Sequence, residues 1–487
     1  MNYSMIRRVL GWILLFESVF LLVPAITGLC FQEEREVTAI CITIGICAVV
    51  GGLCVLRKPK SDAIYAKEGY VIVALSWVVM SLFGALPFWI SGAIPSYVDA
   101  LFETVSGFTT TGATIIPTAE AVDTFPKCLH MWRCFTHWIG GMGVLVFIMV
   151  FLRLSGGGHN MNLLKAESPG PTVGKLMPRM RTTTRILYLI YTGLTVLQFI
   201  FLLFGDMTVF EALCTAFGTA GTGGFGVRGD GFASFSTYSQ VVVTIFMLLF
   251  SINFTSYYLI LCGKFKESLN AEVRTFLIIV AVAICSITLN VYFTASELYQ
   301  FTFGETLKHA AFSVASIIST TGFATANFDL WPAFSKTILV MLMFIGACAG
   351  STGGGMKVSR MMILFKGTSH EMKRMLHPKQ VKKITMDGRV VEHEVVRGVN
   401  TFVIAYVAIY IVSLLIVSFD CSGLVTNFTA VAATINNIGP GLELVGPNGN
   451  FAFYSWWSKL VFIFDMLAGR LEIFPMLLLF APATWRK

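Results

Sequence analysis

Charge is scarce in these 487 residues: Asp, Glu, Lys and Arg together make up 13%, about half the roughly 25% of a soluble domain. That scarcity excludes an ordinary water-soluble globule and puts the chain in lipid. The 11 cysteines are scattered singly, mostly inside apolar runs (Cys41, Cys47, Cys54, Cys262, Cys285 and Cys348). No pair has metal-ligand or redox spacing, so they read as small apolar fillers. The sequence carries no dinucleotide-binding or Walker motif, which leaves nucleotide sensing to another protein. It also lacks any nucleophile, metal cluster or catalytic dyad, so it is not expected to be an enzyme. The apolar run after Arg7 and Arg8 has no small-x-small cleavage site and contains Glu17, which favours a retained membrane helix over a signal peptide.

What is present is apolar. Hydrophobic residues make up 55% of the chain, with 42 Phe and 44 Gly, and mean hydropathy is +0.75. Ten segments are long enough to span a bilayer, at approximately 9–31, 37–56, 69–92, 128–153, 184–205, 237–262, 273–294, 334–364, 397–418 and 455–482. After the first two, a pattern recurs four times: a long helix, a stretch of about a dozen residues, a glycine-bearing window, then another long helix. The short stretches are 97–108, 208–217, 304–315 and 422–433, too brief to span and therefore expected to be re-entrant. The windows are Ser106 to Ala113, Gly218 to Phe225, Ser316 to Phe323 and Ala433 to Pro440, each with glycine at its seventh position. Gly112, Gly224, Gly322 and Gly439 lie roughly 100–120 residues apart, the mark of one unit used four times.

The expected fold is an all-α membrane protein: four tandem helix–re-entrant helix–helix repeats in pseudo-fourfold arrangement around one pore, plus an N-terminal helix pair. The boundaries are 1–66 for the pair, then 67–182, 183–268, 269–394 and 395–487 for the repeats. The net charge of +8 does not signal nucleic acid, because most basic residues fall in connections. About 27 of the 35 Lys and Arg lie at the N-terminus, in 57–67, 153–185, 264–274 and 357–397, and at Arg486-Lys487. The positive-inside rule makes those cytoplasmic, with both termini inside and all four windows open to the outside. The basic segment from Lys357 to Arg397, with Lys366, Lys373, Arg374, Lys379, Lys382 and Lys383, is either simple retention with anionic-lipid contact or a docking surface for a cytoplasmic partner.

Non-helical backbone at membrane depth must be buried in protein or line water. Rings of backbone carbonyls can replace the hydration shell of a cation, and glycine takes the required left-handed geometry at little cost. Thr109, Thr110, Thr111, Thr219, Thr222, Thr320, Thr321 and Thr434 can tie the turns down through their hydroxyls. Close helix packing through small residues is the alternative, and four glycines in register weigh against it. Gly346 to Gly355 interrupts the longest apolar run as a broken helix of the kind that marks transport sites, or as a passive kink. Arg470, near the middle of the last apolar run, is costly in lipid and should face the pore or pair with Glu472 or Asp465. His137, Asn253 and Glu103 are expected near the pathway in packing or hydrogen-bonding roles.

Four further motifs stand out: Phe102-Glu103-Thr104-Val105-Ser106-Gly107-Phe108-Thr109-Thr110-Thr111-Gly112-Ala113-Thr114, Trp138-Ile139-Gly140-Gly141-Met142-Gly143, Ser351-Thr352-Gly353-Gly354-Gly355-Met356-Lys357 and Gly469-Arg470-Leu471-Glu472-Ile473-Phe474-Pro475. On these motifs the chain resembles the TrkH, TrkG and KtrB superfamily of potassium-translocating membrane subunits over essentially its whole length. The N-terminal pair resembles the TrkH branch. Two departures stand out: Gly221-Thr222-Gly223 is unusually glycine-rich, and Asn436-Asn437-Ile438 stands where threonines are expected.

The resemblance implies a potassium-selective filter bound by Thr110, Thr111 and Gly112; Thr222, Gly223 and Gly224; Thr320, Thr321 and Gly322; and Asn437, Ile438 and Gly439. Gly112 points to potassium, since plant relatives with serine there prefer sodium. Gly346, Gly350, Ser351, Thr352, Gly353, Gly354 and Gly355 become an intramembrane gate loop, with Arg470 an electrostatic barrier in the path. The bound ion is potassium, with no other cofactor in the chain. A TrkA-like cytoplasmic nucleotide-binding ring, homodimerisation and the bacterial inner membrane are also implied. A sodium- or proton-coupled symporter is the alternative, with Asp465 and Glu472 as its candidate carboxylates.

Overall fold

In lipid each backbone N–H and C=O must find its partner within the protein, and the apolar runs accordingly fold as helices. The computed structural model describes residues 1–57, 59, 65–143, 180–294, 301–377 and 383–485, with backbone alone for 180–184. The part of the 128–153 helix beyond 143, most of the 57–67 and 153–185 connections, Lys379, Lys382 and Arg486-Lys487 lie outside the described residues.

Among the described residues, six helices are long and apolar enough to cross a membrane: Tyr3–Phe31, Glu34–Leu56, Ala66–Ile90, Arg185–Leu203, Ala271–Thr294 and His393–Asp420. Their outward faces are apolar, with Val49 and Leu53, Ile278 and Val282, and Ile404 and Leu415 all exposed. In water such a belt would drive association; against acyl chains it is the stable face. Buried hydroxyls inside the helices turn back on their own backbone, as Thr43 does on Ala39 O and Thr104 on Ala100 O.

Three of the long apolar runs are broken, two of them expected as single helices and the third, 334–364, expected to break at its glycine-rich segment. The 237–262 run is Thr237–Ser251 and Phe254–Leu261, bent by 92°. Its break contains no proline or glycine; it is held by bonds to a distant segment, Cys348 N–H to Ser251 O and Phe254 N–H to Gly350 O. The 455–482 run is Trp456–Arg470 and Phe474–Phe480, separated where Glu472 and Ile473 take positive φ (56° and 71°). The 334–364 run is Ala333–Ile345 and Val358–Leu376, with the expected glycine-rich loop between them. One element was not anticipated: the antiparallel hairpin Thr385–Met386/Arg389–Val390, turned through Asp387 and Gly388, both with positive φ as a tight hairpin requires.

Four short helices, Tyr97–Phe108, Val209–Gly221, Phe303–Ile318 and Leu424–Ile435, lie where re-entrant segments were expected. Each packs on the second long helix of its own unit and on that of the preceding one. Tyr97–Phe108 meets Lys127–Gly141 and Trp456–Arg470; Val209–Gly221 meets Thr237–Ser251 and Lys127–Gly141. Phe303–Ile318 meets Ala333–Ile345 and Thr237–Ser251; Leu424–Ile435 meets Trp456–Arg470 and Ala333–Ile345. The sequence of contacts closes on itself. The N-terminal pair stands outside it, against Ala66–Gly84, and its Glu33 caps Lys127–Gly141 by accepting the N–H groups of Lys127 (2.6 Å) and Cys128 (2.8 Å).

Candidate functional site

Three of the short helices start with one device. The hydroxyls of Ser96, Thr208 and Thr302 accept the N–H of the residue three later, an acid each time: Asp99, Glu211 and Glu305. Glu211 and Glu305 accept the N-cap N–H in return, both at 2.9 Å. Two orphan donors are thereby satisfied and a carboxylate faces the positive helix end. The fourth helix starts after Gly423 without a side-chain cap.

All four end alike. Thr110, Thr222, Thr320 and Asn437 are left-handed, with φ of 56°, 56°, 60° and 55°. Each donates its N–H to the carbonyl three residues back, and the next residue donates to the carbonyl five back. These bonds are Thr110 to Gly107 and Thr111 to Ser106; Thr222 to Thr219 and Gly223 to Gly218; Thr320 to Ile317 and Thr321 to Ser316; Asn437 to Thr434 and Ile438 to Ala433, at 2.8 to 3.2 Å. This is a Schellman ending, whose left-handed position normally takes glycine. A β-carbon there costs about 1–2 kcal/mol, and strain of this kind concentrates at functional sites.

Two residues on, Gly112, Gly224, Gly322 and Gly439 also have positive φ (80°, 81°, 85° and 96°). A β-carbon on Gly112 would strike the Gly223 carbonyl oxygen; on Gly224, that of Thr321; on Gly322, that of Ile438; on Gly439, that of Thr111. Each glycine therefore abuts the carbonyl just before the next unit's glycine, and the fourth returns to the first. The twelve residues expected from sequence to form the filter make this closed ring, with the carbonyls of Thr111, Gly223, Thr321 and Ile438 at one register. Four such dipoles around an axis can replace part of a cation's hydration shell.

Side chains fasten the ring from outside. Thr109 Oγ1 bonds Thr111 Oγ1 (2.8 Å) and Val105 O (2.6 Å), and Ser319 bonds Thr321 in the same way (2.6 Å). Asn437 Nδ2 donates to Thr111 Oγ1 and to Met466 O, both at 2.9 Å, across the seam between the fourth and first units. The glycine-rich second window has a different fastener. A β-carbon on Gly223 would collide with the His137 ring, and one on Gly221 with the His137 backbone. His137 Nε2 accepts the Phe225 N–H (3.3 Å) and Nδ1 faces Gly107 O (2.8 Å), which fixes a neutral imidazole with its proton on Nδ1. The missing hydroxyls of that window are replaced by this one ring.

The segment Gly346–Gly355 touches the second, third and fourth units and is linked to the first through Arg470. Cys348 and Thr352 N–H donate to Ser251 O (3.1 Å) and Phe250 O (3.4 Å) of the second. Gly354 N–H donates to Thr320 Oγ1 of the third (2.7 Å). A β-carbon on Gly354 would strike Asn436 O of the fourth. Arg470 Nη1 donates to Thr352 O (2.8 Å), while Nη2 donates to Gly140 O and Gly141 O (2.9 Å for the latter) of the first. Arg470 thus bonds three carbonyls. Of the carboxylates considered for it, Glu472 pairs with Arg360, and Asp465 accepts from Ser413 Oγ (2.7 Å).

The family described as TrkH, cation transport protein, matches residues 36–487. The chain belongs to the TrkH family. It is 34% identical over 499 residues to the Trk system potassium uptake protein TrkH of Escherichia coli, and 31% identical over 495 residues to the TrkG protein of the same organism, with complete coverage of both chains in each case. The crystal structure of the potassium transporter TrkH from Vibrio parahaemolyticus superimposes with a TM-score of 0.88 at 32% identity, covering all of both chains. These TrkH-family relatives are transport proteins, not enzymes, and the chain is a multi-pass membrane protein like them.

Sequence reasoning gave His137 and Glu103 supporting roles without seeing what they support. Glu103 is fully buried; it pairs with Arg133 Nε (2.7 Å) and accepts from Thr114 Oγ1 and Ile115 N–H, both at 3.0 Å, anchoring the chain just beyond Gly112. Two residues were missed. Glu272 Oε1 accepts the N–H groups of Ala349 (2.7 Å) and Ser359 (3.1 Å), and Lys357 Nζ donates to Gly353 O. A lone acid near the start of a TrkH-family spanning helix was the available signal for Glu272. For Lys357 it was a lysine two residues after the glycine triplet.

Proposed function

We propose that this chain takes up potassium across the bacterial inner membrane as a channel-like pore subunit. The closed ring of glycine–carbonyl contacts at Gly112, Gly224, Gly322 and Gly439 carries the reading: it is an oxygen-lined constriction built without buried charge. In this reading Thr110, Thr111, Thr222, Gly223, Thr320, Thr321, Asn437 and Ile438 complete the filter. The loop Gly346–Gly355, fastened by Arg470 to the first unit, closes the path. Membrane potential, worth about 2.3 kcal/mol per charge per 100 mV, drives entry. A cytoplasmic nucleotide-binding ring that docks on the basic face around Lys366, Lys373 and Arg374 opens the gate, and two copies of the chain assemble with it, termini inside. The names of the relatives, Trk system potassium uptake proteins, support the ion and the existence of further Trk components.

Reversal potentials of the purified protein in liposomes under a potassium gradient test this reading. A reversal at the potassium Nernst value is expected. A fixed stoichiometric offset that moves with sodium or proton gradient would establish coupled symport instead. Of the carboxylates such coupling would use, Glu472 is engaged with Arg360, which favours the channel, while Asp465 has Oδ1 on Ser413 and Oδ2 without a partner among the described residues.

A further inference from the structure

Each of the four left-handed residues that precede the ring carbonyls has an oxygen-bearing side chain, and the four are used differently. Thr222 donates its hydroxyl to Gly221 O in its own helix (2.6 Å). Asn437 spends its amide nitrogen on Thr111 and Met466. Thr110 is buried, and its Oγ1 has no hydrogen-bond partner among the described residues. Thr320, also buried, is the one whose oxygen accepts a bond from the gate-forming segment, the 2.7 Å bond from Gly354 N–H. The loop runs close to the fourth unit at this point, since a β-carbon on Gly354 would strike Asn436 O and crowd the Asn437 β-carbon.

A buried hydroxyl oxygen without a partner calls for a donor or a cation, and Thr110 presents one at the register position of Thr320. Oxygen atoms of this kind are ligands for hard cations. At Thr320 a cation and an amide proton would share the two lone pairs of one oxygen, where their positive charges repel and each weakens the other's hold. We propose that Thr320 Oγ1 is shared between the loop and a potassium ion at the edge of the carbonyl ring, so that ion occupancy and loop closure oppose each other. This rests on the reading of the ring as filter and the loop as gate. Linkage makes the effect reciprocal: potassium loosens the closed loop by the factor by which the closed loop weakens potassium binding at that position. Thr222 has no such contact with the loop, so the coupling enters through the third unit.

Hydrogen exchange read by mass spectrometry tests this on the full-length protein in lipid nanodiscs, without partner, in potassium chloride and in choline chloride. Potassium should slow exchange in the filter segments 106–114 and 316–324. It should speed exchange in 346–357 by about fivefold, the factor that corresponds to one hydrogen bond of ~1 kcal/mol. In Thr320→Val the loop should exchange fast in both salts, and Thr320→Ser, which keeps the oxygen, should restore the dependence on potassium. Filter segments that respond while the loop does not would overturn the coupling and leave the filter reading standing. Failure of both to respond would overturn both. A loop in Thr320→Val that responds as in the unsubstituted protein would overturn the role of Thr320.

Discussion

At the scale of single residues, a β-carbon at any of four ring positions would meet a backbone carbonyl oxygen of the neighbouring unit and force the ring to shift. Gly112 combines a φ of 80° with a carbonyl of the next unit lying where a β-carbon would go. Gly112→Ser is expected to cut potassium-over-sodium preference about 5–30-fold, the factor equivalent to ~1–2 kcal/mol of left-handed strain, read as rubidium uptake in competition with sodium. Unchanged competition would remove Gly112 from the filter. His137 is a positioning residue for the same ring. His137→Leu strips the Phe225 N–H of its partner, at ~1–3 kcal/mol for a buried group left unsatisfied, and removes one of the contacts of Gly107 O, which keeps the Thr110 N–H. The expected outcome is a lower melting temperature in detergent together with lost selectivity; a loss of stability with selectivity intact would confine His137 to packing.

At the scale of elements, breaks and connections matter more than helices. Arg470 joins the loop at Thr352 to Gly140 and Gly141 of the first unit, so Arg470→Ala releases one end of a strap. Basal potassium leak from liposomes without partner should rise several-fold, given ~1.5–3 kcal/mol for a hydrogen bond from a charged group, and a flat leak would refute the strap. The connection after Leu203 shows how outer turns are fixed. Burial alone would raise the Asp206 carboxyl, but the hydroxyls of Ser236 and Ser239 and the Ser236 N–H outweigh it and hold it at about 2. A depressed carboxyl contributes stability above its unfolded value of about 3.9 and loses it as pH falls toward the folded one. The melting-temperature gap between the unsubstituted protein and Asp206→Asn should be constant from about pH 7 to 5 and narrow below about pH 4.

At the scale of the whole molecule, the ring exists only because the fourth unit meets the first. Besides the Gly439–Thr111 and Asn437–Thr111 contacts, the seam is held by Lys459 Nζ on Asp99 (2.6 Å), Phe451 N–H on Thr114 O (2.8 Å) and Asn450 Nδ2 on Pro117 O (2.8 Å). Asp99→Asn leaves the buried Lys459 ammonium without its counter-charge. The loss should exceed ~1 kcal/mol yet fall short of the ~3–5 kcal/mol of a fully buried pair, because the Asp99 side chain keeps 26% exposure. Tryptophan fluorescence during thermal unfolding measures it, and the double variant Asp99→Asn with Lys459→Met should recover most of the loss. An Asp99→Asn protein as stable as the parent would show that the seam does not need this pair.

Much of this was legible in the chain before any coordinates. Hydropathy period and length located the spans, because lipid leaves an apolar run of about 20 residues no option but a helix. The glycine at one register of four windows was visible, because a left-handed turn pressed against a neighbouring carbonyl excludes every other side chain. The 92° break at Ser251–Phe254 was not legible: it contains no glycine or proline and is made by bonds to Cys348 and Gly350, about a hundred residues away. Nor could spacing reveal why the second window is rich in glycine, since the cause is the imidazole of His137 from another unit. Local pattern was enough to name the residues of the four turns and the segment that breaks the third unit. How they meet came from the packed fold: Gly112 against Gly223, Arg470 on three carbonyls and Gly354 on the hydroxyl of Thr320. Those partners lie on segments far apart in the chain, and a local pattern records what a residue can do but not which neighbour the fold will bring to it.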